Sequence, residues 1–174
     1  MEDISIRADN TIGGIAGQFD GRILEDCIVT GKLEGTSRHQ MGARIGGITG
    51  WQGGGIMRRC FTKTVITAPE PVGNGGIIGG PQNGSAAVER SVSLSTGINA
   101  NRISGWDVLG ITSSAYELEN SDSISSMNEE NADRIFQITE EQSRDRAFYI
   151  ETLGWSEEVW EFDLLPAGGL PGIR

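Results

Sequence analysis

The chain has 174 residues, with 14 Lys plus Arg against 24 Asp plus Glu, a formal charge of −10. That length suits one domain with a real core, and the acidity excludes the basic footprint that nucleic-acid binding needs. No apolar run reaches the roughly 18 residues of a membrane span, no basic-then-apolar leader opens the chain, and 26 Gly without a Gly-X-Y period exclude collagen.

Taken in chain order, Ile4-Ser5-Ile6-Arg7-Ala8 alternates like the last strand of a preceding repeat. The chain is therefore expected to open in mid-coil, as a piece of a longer protein with Met1 added to it. Next comes Gly13-Gly14-Ile15-Ala16-Gly17, which recurs as Gly46-Gly47-Ile48-Thr49-Gly50 and Gly75-Gly76-Ile77-Ile78-Gly79, with a worn copy at Ile103-Ser104-Gly105. A second block follows each copy: Leu24-Glu25-Asp26-Cys27, Met57-Arg58-Arg59-Cys60, Val88-Glu89-Arg90-Ser91 and Leu118-Glu119-Asn120-Ser121. Two blocks kept in order across variable connections are far more specific than one Gly-rich stretch.

The runs after each second block are short and β-prone, and Gly or Asn-Gly punctuates them, as at Asn83-Gly84. A repeat of 26–33 residues cannot bury its own apolar face, but stacked repeats bury a continuous core. The expected fold is all-β: a parallel β-helix (β-solenoid), right-handed by analogy with parallel crossovers. It has about four coils, near 11–44, 45–74, 75–102 and 103–127. Ile15, Ile48, Ile77 and Ile103 should form one internal ladder, and Leu24, Met57, Val88 and Leu118 a second. Alternation alone does not decide which face of the following strands points inward. Small side chains suit a narrow interior, so Cys27, Cys60, Thr62, Ser91 and Ser93 are placed there, and Ile28, Phe61 and Val92 outside.

Residues 1–116 carry ten acidic and ten basic side chains, so the whole of the −10 lies in 117–174. Residues 122–134 read as a polar loop. Thr139-Glu140-Glu141-Gln142 is a capping box, predicting a helix over about 140–152 that stops at Gly154. Its apolar side should face the last coil, and Val159 to Phe162 could add a final strand. Residues 1–127 are thus read as the solenoid and 128–174 as its acidic cap, with a short helix and a Trp-rich end.

These blocks resemble the GLUG-motif repeat of bacterial cell-surface and IgA-peptidase-associated proteins, a Gly-Gly-hydrophobic-x-Gly element followed by a hydrophobic-x-x-Cys/Ser strand. The tail adds Phe148-Tyr149, Gly154-Trp155, Trp160 and Leu165-Pro166, so the likeness spans about residues 11–166. The resemblance implies a parallel β-helix on an exported bacterial protein, extracellular at the cell surface, and it does not imply catalysis.

The search for chemistry fits that expectation. His39 is the only histidine and sits between repeats, where a solvated loop residue is expected. Cys27 and Cys60 occupy equivalent positions, which fits a buried thiol ladder or a disulfide. The Ser residues of copies three and four favour the ladder. Zinc is not expected, with no Cys-x-x-Cys and one His. Asp20, Glu25, Asp26 and Asp107 read as solvated acids, and the Glu-rich tail as a charged helix face rather than paired glycosidase carboxylates. Gly53-Gly54-Gly55 lacks the Lys-Ser/Thr of a phosphate loop.

No catalytic residue, cofactor or metal is therefore assigned. Trp51 and Trp106 hold equivalent positions after the first block and are the candidate ligand-facing aromatics, against a plainer role covering a solenoid corner. The expected function is a non-catalytic, adhesin-like stalk or display surface, with host or microbial glycans or surface proteins as partners. The alternative is a carbohydrate-binding or carbohydrate-active β-helix. A third reading, ice or mineral binding through Thr62, Thr64, Ser93 and Ser95, lacks an array that persists across coils.

Overall fold

The computed structural model describes residues 1–36, 44–69, 73–81, 86–98, 100, 102–105, 115–119 and 134–174. Short strands alternate with tight corners, and each strand pairs in parallel with its equivalent one coil away. β2 (Ile12–Gly13), β6 (Ile45–Gly46) and β10 (Asn74–Gly75) form one three-stranded sheet. β3 (Ala16–Phe19), β7 (Thr49–Gln52) and β11 (Ile78–Pro81) form a second, and β4 (Ile23–Glu25), β8 (Gly55–Arg58) and β12 (Ala86–Glu89) a third. The long side of the solenoid is one parallel sheet. It runs through β1 (Ile4–Ala8), β5 (Ile28–Gly35), β9 (Phe61–Thr67), β13 (Ser91–Ser93), β15 (Ala115–Leu118) and β16 (Ile135–Ile138), with β14 (Thr96–Ile98) beside the end of β9. This is the expected parallel β-solenoid.

Register is kept from coil to coil, so the interior is made of columns. Ile28 pairs with Phe61 and Phe61 with Val92, which lines up Cys27, Cys60, Ser91, Ala115 and Ile135. Two residues along, Val29, Thr62, Ser93, Glu117 and Gln137 form the next column. Cys60, Thr62, Thr64, Ser91 and Ser93 are all buried, and the Thr64 hydroxyl lies 2.9 Å from that of Ser95. The small-residue face thus points inward. Its reason is visible at Gly47, whose missing Cβ would lie 2.0 Å from the Gly76 carbonyl oxygen and 2.9 Å from Thr62 Cγ2. The opposite corner presses against the sheet, leaving room only for small side chains and glycine.

The two expected ladders hold over their middle members. Ile48, Ile77 and Ile103 are fully buried, joined by Ile48 N–H to Ile77 O and Ile77 N–H to Ile103 O, each 2.9 Å. Leu24, Met57 and Val88 are register partners. Ile15 sits in register with Ile48 but is 36% exposed, because it belongs to the outermost coil on that side. Leu118 is not in the second ladder. Ala115, rather than Ser121, follows Ser91 in its column, which puts Leu118 six residues too far along, opposite Ile138. Ser121 and the 122–134 loop, apart from Arg134, lie outside the described residues.

Beyond β16 the chain turns back. The capping box forms in both directions: Thr139 N–H donates to Gln142 Oε1 at 2.9 Å, and Gln142 N–H to Thr139 Oγ1 at 3.0 Å. It starts a 3-10 turn, Gln142–Arg144, and not the single helix expected over 140–152. Asp145 is extended (ψ 116°) and breaks it; its carboxylate accepts from Ala147 N–H at 2.9 Å and starts a second piece. That piece widens into a π-turn, Phe148–Thr152, and ends at Gly154 with φ +65°. Phe148, Tyr149, Leu153 and Trp155 all join one buried cluster. The final strand is short: β17 (Trp160–Glu161) pairs antiparallel with β18 (Gly172–Ile173).

This segment lies along the flank of the solenoid, reaching well past the last coil that the sequence pattern suggested. Its aromatic and aliphatic residues bury the outward set of the long sheet, Ile28, Phe61, Val92, Leu94 and Ile138, in one cluster. The physical cause is that this face is itself apolar. Left open it would be a hydrophobic stripe across four coils, and each large side chain buried there contributes about 1.5–3 kcal/mol.

Candidate functional site

The residues before each long strand form a corner column. Asp26, Arg59 and Arg90 all adopt left-handed backbone, with φ 53°, 51° and 46°. Non-glycine residues in that region cost about 1 kcal/mol each, so the corner must be held by its surroundings. Arg59 forks onto Asp26, with Nε to Oδ1 at 2.8 Å and Nη2 to Oδ2 at 2.7 Å, and its Nη2 also reaches Glu25 at 2.7 Å. Arg58 Nε donates to Glu25 at 2.6 Å. Acids of the first coil thus meet bases of the second at matched register, an arrangement that penalises any slip between coils.

Two tryptophans dock on that column. Trp160 Nε1 donates to Asp26 Oδ1 and Trp155 Nε1 to the Arg90 carbonyl, both at 2.9 Å. Their ring centroids are 4.1 Å apart. Burial, the largest single influence on Asp26, raises its pKa. The hydrogen bonds from Arg59 and Trp160 and the charges of Arg59 and Arg58 together outweigh it and hold the carboxyl below its ordinary value. Glu25 is lowered chiefly by its hydrogen bond from Arg58, and Arg59 is raised chiefly by Asp26.

Cys27 and Cys60 are free thiols on adjacent coils. The Cys60 thiol favours the Cys27 thiolate and lowers the Cys27 pKa, while Cys60 is held well up by that same contact and by burial. Deeper in the solenoid, the fully buried Glu117 meets Arg102 at 3.5 Å and accepts from Gln137 Nε2 at 3.3 Å. Short-range motif reading missed both this pair and the corner network. The charge alternation between Glu25-Asp26 and Arg58-Arg59 was the signal that could have found the network.

Trp51 stands on β7, in register with Gln18 and Gly80. It is half-buried, and the Arg44 guanidinium lies over its ring, 4.0 Å from the centroid. Trp106 and His39 lie outside the described residues, as does Asp107. Asp20 accepts from Gln18 Nε2 at 2.7 Å. Among the described residues no group of three or more His, Cys, Asp or Glu is placed to hold a metal ion, and no helix is long and apolar enough to cross a membrane. A groove of about 170 Å³ opens where the C-terminal segment meets the long sheet, with Lys63, Leu94 and Leu118 on the sheet side and Glu140, Arg144 and Leu170 on the other. Compared with protein-family models, with curated proteins and with solved structures, the chain gives no match.

Proposed function

We propose that this chain is a non-catalytic display segment of an exported bacterial surface protein of the GLUG-repeat kind, a stiff β-solenoid that presents its flanks to partners. The observation that carries this reading is the long parallel sheet, continuous from β1 through β16 and locked in register at the corner column. Such a stack resists bending, because successive coils are hydrogen-bonded to one another along the long sheet. Its uncovered flank presents a mixed surface, with Lys32, Glu34, Val65 and Thr67 exposed along neighbouring strands. The test of location is labelling of intact bacteria with an antibody raised against the 174-residue chain. Labelling without permeabilisation is expected; labelling only after lysis would reject the surface assignment.

A carbohydrate-binding surface is the second reading, favoured by the Arg44–Trp51 stack. The half-buried Trp51 indole offers ring surface to a sugar, held in place by the Arg44 guanidinium stacked on it. A glycan array probed with the parent chain and with Trp51→Ala separates the two readings. A hit lost in a folded Trp51→Ala variant would move the assignment to a glycan-binding module. Absence of any hit leaves the display reading ahead.

A further inference from the structure

The groove beside the C-terminal segment has an unbalanced chemistry. Leu94, Leu118 and Leu170 give it apolar walls. Arg144 meets Glu140 at 3.1 Å, so those two charges offset each other. The Lys63 side chain points outward from β9 into the groove lining, and among the described residues its ammonium makes no ion pair or hydrogen bond. The lining therefore carries one uncompensated positive charge, on a chain whose net charge is −10. At about 170 Å³ it lies below the roughly 300–1,000 Å³ of drug-sized sites. One alkyl group with one head group would fill it.

We propose that this groove binds a small branched aliphatic carboxylate, its alkyl group against the three leucines and its carboxylate on the Lys63 ammonium. The proposal is independent of the display reading. The same chemistry is found in a free branched-chain acid and in the carboxy-terminal leucine of a peptide.

The test uses the whole chain and follows the backbone amide resonances of Thr96, Ser143, Gly168 and Gly169 by NMR. The probes are 4-methylpentanoate, N-acetyl-leucine and the neutral 4-methylpentanamide. Saturable shifts with the two carboxylates are expected, with binding of the amide weaker by about tenfold. Lys63→Met should weaken carboxylate binding by a similar factor and leave the circular dichroism spectrum and melting temperature unchanged, since Lys63 is exposed. Tighter binding of N-acetyl-leucine than of the free acid would assign a peptide carboxy terminus, and the reverse order a free acid. Equal binding of acid and amide, undiminished binding by Lys63→Met, or no saturable shift with either carboxylate would overturn the proposal.

Discussion

Asp26 meets three demands at once. It holds a left-handed corner, accepts two hydrogen bonds from Arg59 and accepts the Trp160 indole N–H. Asn tolerates the same backbone but carries no charge, so Asp26→Asn isolates the electrostatic part. It should cost about 1.5–3 kcal/mol in urea unfolding, the range for hydrogen bonds to charged groups. The sign of the pH effect follows from the lowered pKa. The stabilisation is complete above the unfolded value of about 3.9 and is lost as pH falls through the lower folded value. The Asn variant should therefore show a smaller loss of stability between pH 5 and about pH 2 than the parent. The thiols give a second test at this scale. Cys27 is half-buried with a lowered pKa and Cys60 is buried with a raised one. One equivalent of thiol should react with a disulfide reagent in the native protein, and two in denaturant.

At the scale of elements, the close approach of corner and sheet sets the tolerance of the solenoid. A methyl group at Gly47 would meet backbone at 2.0 Å, where no flexible side chain can yield. Gly47→Ala should cost 3 kcal/mol or more, or prevent folding, by the overpacking mechanism. The exposed Thr67→Ala should change stability by about 0.5 kcal/mol or less. The C-terminal segment depends on its aromatic stack, where Trp155 lies 4.1 Å from Trp160 and 5.0 Å from Tyr149. Trp155→Ala should cost about 3–5 kcal/mol. Trp160→Phe should cost less, about 2–3 kcal/mol, since it keeps one aromatic ring but loses the second ring and the indole N–H to Asp26. Stability curves from urea unfolding rank these variants directly.

At the scale of the whole molecule, the acidic segment and the neutral repeats form one folded body. The outward faces of β5, β9 and β13 supply Ile28, Phe61 and Val92 to a cluster that the C-terminal residues complete. Removing residues 140–174 should therefore leave an apolar stripe on the flank and cause self-association, read as a rise in light-scattering mass with concentration. A truncated chain that stayed monomeric and kept the parent melting temperature would show that the flank is covered by something other than this segment. Tyr149 reports on the same cover. Its phenol donates to the Ser143 carbonyl at 2.7 Å, and burial pushes its ionisation well above the usual tyrosine range. A late alkaline phase in absorbance at 295 nm should vanish in Tyr149→Phe.

The repeats of Gly-Gly-Ile and of the Cys/Ser block determined the solenoid, its coil period and its inward face, because stacked coils demand the same residue type at the same height. The capping box at Thr139 and Gln142 was equally legible, since its bonds are local. Other features were decided only in three dimensions. The fourth copy slipped because Ala115 fills the small-residue column, and a small residue can be recognised there only once its neighbours on β13 and β16 are known. The path of Trp155 and Trp160 back to Arg90 and Asp26 joins residues 65 and 134 positions apart. No periodicity encodes such a contact. It arises because the flank of the long sheet is apolar, and burying that flank together with the aromatic end of the chain lowers the free energy of both.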